Sequence, residues 1–195
     1  MPIEERSLER AIGVLRDHLN GVLARTISQA RLIVFAVRDI DPPQIGVHLR
    51  EGTAIGAQLR SSYGGLRLLL TQRCISTVAG RGRRRTHTLH TVHYRYALRA
   101  EDTDEPFIRW EYERDRPEGQ WCRHHVQGPQ TLRVAASDVS LNDLHLPTGW
   151  VTIEEVIRFC IVDLGVPTNP AHDWDAVLED SYRTFRTDFA PIGEV

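Results

Sequence analysis

Between Thr86 and Val126 the chain changes side-chain character at every second residue, in three successive segments. In "THTLHTVHYRYALRA" the positions Val92, Tyr94, Tyr96 and Leu98 alternate with Thr91, His93, Arg95 and Ala97. "PFIRWEYER" sets Ile108, Trp110 and Tyr112 against Phe107, Arg109, Glu111 and Glu113. "QWCRHHVQG" sets Trp121, Arg123 and His125 against Cys122, His124 and Val126. A helical turn would scatter such a pattern around its circumference. A pleated strand sends alternate residues to opposite faces and keeps it. Three strands in a row, each apolar on one side and polar on the other, demand an antiparallel sheet covered on a single face.

The flanking segments complete that sheet and supply its cover. "LRLLLTQRCISTVAG" can pair with the first alternating strand around Gly80-Arg81-Gly82. "RLIVFAVRDI" is apolar on both faces, which predicts a buried strand. "PQIGVHLRE" returns from it after Asp41-Pro42-Pro43, a stop signal that favours a hairpin. Residues 51–65 are rich in Gly and Ser and predict a loop with one turn of helix. "RPEG" reads as a turn, and "TLRVAAS" as a further strand.

Residues 1–28 repeat apolar side chains at helical spacing: Leu8, Ala11, Ile12, Leu15, Leu19, Val22 and Leu23. At the other end, Thr152 and Glu155 form a capping box before "IEEVIRFCIVDLG", which Gly165 and Pro167 close. A second helix starts near Asp173, with Trp174, Val177, Leu178, Ser181, Phe185 and Phe189 on one stripe. The expectation is a single α+β domain over residues 1–195. It has an N-terminal helix (1–28), antiparallel strands (31–136) and a C-terminal helix pair (152–189). The sheet is expected to be mainly antiparallel, of about six strands.

Several function classes are disfavoured. Formal charge is −2, and the 24 basic residues are all arginine, so any attraction to nucleic acid must be local. Cys74, Cys122 and Cys160 form no CxxC pair, so neither a zinc knuckle nor a disulfide framework is expected. The charged, amphipathic start predicts no secretory signal, and no apolar run reaches the roughly 20 residues of a membrane span. A cytoplasmic location without membrane contact is therefore expected. No phosphate-binding loop, dinucleotide fingerprint, GxSxG or HExxH is present, and no cofactor is expected. Nor is a metal site: His124 and His125 face opposite ways, and His87 and His93 would stand about 20 Å apart on one strand.

If the three alternating strands are neighbours, their polar face gathers His93, Arg95, Arg109, Glu111 and one of His124 or His125. Two meanings stay open. Arginine opposite glutamate is the usual decoration of a wet sheet face. Alternatively, a histidine and a carboxylate supply acid–base chemistry while guanidinium groups hold a phosphate. On the second meaning His93, Glu111, His124 and His125 are the catalytic candidates. Arg95, Arg109 and Arg123 would hold substrate, joined by Arg83, Arg84 and Arg85 of the basic run "GRGRRR". Cys122 lies beside this set but is expected to be structural.

The block "HYRYAL…EPFIRWEYERD…WCRHHVQG", residues 90–128, resembles the TumE-like toxins of bacterial toxin–antitoxin pairs. The likeness maps Arg109, Glu111, His124 and His125 onto that family's polar positions. Glutamate and tryptophan stand where the family usually has aspartate and tyrosine. What the resemblance implies is a translation- or RNA-directed toxin. The polar cluster itself gives the expectation of metal-independent acid–base phosphodiester chemistry, with RNA as substrate and an antitoxin or other protein as partner. The competing expectation is a non-catalytic protein-interaction module of a bacterial regulatory or defence system, free to form oligomers.

Overall fold

The structure, a computed structural model, describes residues 7–80, 86–115, 122–134, 137–140, 142, 144 and 146–188. Helix α1 (Leu8–Arg25) opens behind Ser7, whose Oγ accepts the Arg10 N–H at 3.2 Å. Its six predicted stripe residues from Ala11 to Leu23 are all buried. Eleven strands follow among the described residues. β1 (Arg31–Val37) and β2 (Gln44–Glu51) form the expected hairpin, and β3 (Ala54–Ile55) folds back on β2. β4 (Ala57–Ser61), β5 (Gly64–Ala79), β6 (Thr86–Ala100), β7 (Pro106–Glu113) and β8 (His124–Gln127) continue the meander. β9 (Thr131–Val134) and β10 (Ser137–Ser140) make a separate ribbon, while β11 (Leu146–Pro147) pairs with β8. Helices α2 (Ile153–Val162) and α3 (Trp174–Asp188) close the chain.

All pairings are antiparallel, and the main sheet runs β1-β2-β5-β6-β7-β8-β11 with β3 and β4 attached to β2 and β5. An α+β fold with one large antiparallel sheet is thus present. The strand count exceeds the expected six, because residues 51–65 supply β3 and β4, and β10 and β11 form beyond β8. Residues 51–65 depart most from expectation. They are β-structure, with Ala57 and Leu59 buried and Gln58 and Arg60 exposed. Gly52, Gly56 and Gly64 take positive φ there, so the glycines supply tight turns between strands, not a loop or helical turn.

β1 also differs from its prediction. It is an edge strand: Leu32 is buried beneath α1, but Ile33 on the opposite face is 44% exposed. Of the sequence expectations, Arg83, Arg84, Arg85, Trp121, the "RPEG" turn, Phe189 and the Phe185 side chain lie outside the described residues.

One face of the sheet carries the core. Leu32, Leu49, Leu68, Leu70, Tyr94, Tyr96, Leu98 and Tyr112 join the buried stripes of α1 and α2 in a single apolar cluster. Tyr94 and Tyr96 stack at 4.6 Å, Trp150 meets Tyr94 edge-on, and Trp110 meets Phe159 of α2 in the same manner. The Tyr94 hydroxyl accepts the Val151 N–H at 3.0 Å, which ties β6 to the entry of α2. The capping box of α2 is formed as predicted: Thr152 Oγ1 accepts the Glu155 N–H, and Glu155 Oε2 accepts the Thr152 N–H at 2.7 Å. Gly165 (φ 66°) follows, and Asp173 caps α3 by accepting the N–H groups of Asp175 and Ala176.

The three helices meet at a buried polar knot. Ser181 of α3 donates to the Glu154 carboxylate of α2, so its oxygen is left to accept from Nε2 of His18 in α1 at 2.9 Å. Cys74, Cys122 and Cys160 are all buried thiols. Burial pushes Cys74 and Cys160 up to about 12, well outside thiolate chemistry. Among the described residues no helix is long and apolar enough to cross a membrane.

A local test of the β1–β2 register lies at Gly46. A Cβ built there would stand 2.5 Å from the Gln72 carbonyl and 2.8 Å from the Phe35 ring. Gly46→Val should therefore lower stability by about 1–3 kcal/mol, the range for overpacking. Urea denaturation measures this. An unchanged midpoint would mean that Phe35 does not lie across β2.

Candidate functional site

The face of the sheet opposite the core carries the polar residues of the alternating strands. Register aligns them in rows. Thr71, Arg95, Glu111 and His125 stand side by side across β5, β6, β7 and β8. The next row holds Arg73, His93 and Glu113, and the row on the other side holds Ala97, Arg109 and Gln127. Antiparallel pairing places opposed side chains about 5 Å apart, so each row is one contact group.

Glu111 is the hub. Its carboxylate lies 3.1 Å from Arg95 Nε, 3.3 Å from Arg109 Nε and 3.4 Å from His125 Nε2. The Arg109 Nε is near enough for charge attraction but not aligned as a hydrogen bond, because the guanidinium turns its Nη2 to donate to Gln127 Oε1. Gln127 in turn donates to the Asn142 carbonyl at 3.1 Å. Burial alone would raise the Glu111 pKa. The hydrogen bond from His125 and the charges of Arg109 and Arg95 outweigh it and hold the carboxyl below its ordinary value. Glu111 is therefore a carboxylate at neutral pH.

A second couple sits beside the hub. Glu113 lies 3.3 Å from Arg73 and 3.7 Å from His93 Nε2. Burial, followed by the Arg73 charge, drives His93 down to about 4, so its imidazole is neutral at pH 7 and able to accept a proton. His93 Nδ1 is buried and makes no hydrogen bond among the described residues. Such an unmet polar atom beside a charged cluster asks for a water or ligand partner.

Exposure sorts the roles these groups can play. Arg95 is the open member at 44%, Glu111 (20%) and His93 (17%) are half-buried, and His125 is closed at 2%. His125 touches Glu111 from the closed side; Arg95, Glu111 and His93 are the members of the cluster that solvent reaches. His124, open in sequence as the alternative to His125, lies on the core face. It stacks on Tyr112 at 4.4 Å and stands 3.4 Å from the Tyr94 hydroxyl. Arg123 is exposed, immediately before β8, apart from the Glu111 hub.

Comparison of the chain with protein-family models, curated proteins and solved structures returned no match. The cluster therefore has to be interpreted from its own chemistry.

Three members were not among the candidates drawn from sequence: Arg73, Glu113 and Gln127. The same two-residue parity that selected Glu111 and His125 reaches Glu113 and Gln127, so a signal for both existed. Arg73 had none. Its place beside His93 depends on a register shift in the β5–β6 pair directly after it. Among the described residues no three His, Cys, Asp or Glu side chains converge as a metal-binding set. What the arrangement can do is hold an anion at Arg95 and exchange a proton through His93 or Glu111.

Proposed function

We propose that the protein acts on RNA as a bacterial toxin-like factor, with metal-independent acid–base phosphodiester chemistry on the helix-free face of the sheet. The observation that carries this is the neutral His93 beside an ionised, arginine-clamped Glu111, with Arg95 open to solvent above them. Arg95 would take a phosphate oxygen, bidentately by preference, and offset charge building on phosphorus. His93 would accept the proton of the attacking hydroxyl and, as the imidazolium so formed, return it to the departing oxygen. His125 and Arg109 would act through Glu111 as positioning residues. The resemblance of residues 90–128 to TumE-like toxins supports the same direction.

The test is induced expression in a bacterium of wild type beside an Arg95→Ala/His93→Ala variant, with total RNA examined. Growth arrest with cleaved RNA in the wild type alone is expected. Normal growth and intact RNA for both proteins would overturn the proposal.

A second reading has its own support. β1 ends the sheet; Asn20 Oδ1 takes the outward Leu32 N–H at 2.8 Å and closes that end of the edge, so a partner strand would pair beyond it. An apolar edge strand of seven residues is a natural place for strand addition by a protein partner, as a non-catalytic module would use it. A protein that leaves RNA intact yet loses its partner on Val34→Pro would favour this alternative.

A further inference from the structure

Away from the Glu111 hub the same face holds a further set of arginines, of which Arg31 and Arg60 pair with no carboxylate among the described residues. Arg31 stands directly opposite Arg50 across β1 and β2, and Arg67 directly opposite Arg99 across β5 and β6. Arg60, on β4, shares this face beside them, opposite Gly65. Like charges facing each other across a ladder destabilise it, so folding alone gives no reason for two such pairs. Arg50 donates to the Thr53 carbonyl and Arg67 to the Ile55 carbonyl, while Arg99 has Asp104. Arg31 and Arg60 are exposed and have no carboxylate partner among the described residues.

The chain as a whole carries a formal charge of −2, so this positive field is a local segregation of charge. The carboxylates within this field include Asp104, paired with Arg99, and Glu101, which accepts from Gln58 and lies against Gly65. Aromatic surface lies within the arginine field. The Phe35 and His48 rings stack at 5.4 Å on this face, with Ile33 beside them.

We infer that this face is a binding track for single-stranded RNA, in which Arg31, Arg50, Arg60 and Arg67 hold the phosphate backbone leading to the Glu111 hub. The inference rests on the proposed function only in taking RNA as the ligand. Same-face side chains stand about 5 Å apart across strands and about 7 Å apart along them. A nucleic-acid strand, charged at every residue, can meet such an array at several points. Guanidinium forks fit phosphate oxygens in pairs, and stacked rings such as Phe35 and His48 offer a base a flat platform without reading its identity. A lipid surface would ask for a contiguous apolar patch to insert. The described part of this face offers mainly guanidinium groups.

The test is fluorescence anisotropy of the full chain with a labelled oligouridylate over a range of salt concentrations. Wild type is compared with Arg31→Gln/Arg60→Gln/Arg67→Gln. On a single strand, every phosphate that an arginine ceases to neutralise takes about 0.7 from the slope of log K against log salt. The triple variant should therefore bind more weakly and flatten the slope by about 2. Circular dichroism and the thermal midpoint of the variant guard against misfolding. Binding by the wild type with an unchanged slope in the folded variant would overturn the track while leaving the hub in place. RNA binding along the track without any RNA cleavage would sink the catalytic proposal and leave the track standing. Failure of the wild type to bind RNA, with binding to phosphatidylglycerol vesicles instead, would assign the face to a membrane and overturn the track.

Discussion

Tyr94→Ala is expected to lower the stability of the protein by about 3–5 kcal/mol, whereas Arg95→Ala, one residue along the same strand, should change it by about 1 kcal/mol or less. The contrast follows from the pleat. Tyr94 is fully buried, stacks on Tyr96 and Tyr112, meets Trp150 edge-on and accepts the Val151 N–H. Its removal leaves a cavity where β6, β7 and the segment before α2 converge, and strands a backbone donor. Arg95 faces the other way, and its ion pair with Glu111 lies in a side chain that is 44% exposed. Such a pair is screened by water. Urea denaturation of both variants measures the difference. Similar losses at the two positions would mean that Arg95 is part of the scaffold, and activity lost on its replacement could no longer be taken as chemical.

A second pair of variants should separate two carboxyl groups whose titrations pull in opposite directions. The Glu111 pKa is held below its ordinary value, by His125, Arg109 and Arg95 acting against burial. A carboxyl lowered on folding adds stability above its unfolded value near 4.5, and that stability is lost as pH falls through the folded value. Glu154 is the reverse case. Burial raises it, and the hydrogen bond from Ser181 only partly opposes that rise. Its contribution is fully present below 4.5 and is lost as pH rises through the raised folded value.

Glu111→Gln should therefore weaken the protein at neutral pH and reduce its sensitivity to acid. Glu154→Gln, which keeps a hydrogen-bond acceptor for Ser181, should stabilise it increasingly as pH rises above 4.5. Thermal midpoints of wild type and both variants across about pH 3–9 would show the two limbs. If Glu154→Gln follows the wild-type profile throughout, the carboxyl is not the group that titrates, and the knot with Ser181 and His18 has no pH role.

Much of this architecture was legible in the residues. The two-residue alternation from Thr86 to Val126 fixed which side chains share a face, because a strand has no freedom to do otherwise. It placed His93 with Arg95, and Arg109 with Glu111, without any tertiary information. The capping box at Thr152 and Glu155 and the glycine at 165 marked both ends of α2 for an equally local reason: orphan N–H and carbonyl groups need particular partners. The short strands within 51–65 are not legible in the residues, because Gly and Ser belong to tight turns as readily as to loops.

Other properties belong to the tertiary structure alone. Alternation cannot say where one strand slides against the next, and the register puts Arg73 beside His93 and Arg31 opposite Arg50. Nor could it choose between His124 and His125. Adjacent residues always face apart, and only the packing of Tyr112 and Trp150 decided that His124 belongs to the core side. The pKa of Glu111 and the neutrality of His93 depend on how deeply neighbouring strands bury them and on which charges arrive from those strands. Periodicity within a strand is a short-range steric fact written in the sequence. Register, burial and electrostatic environment are long-range sums, and only the folded chain evaluates them.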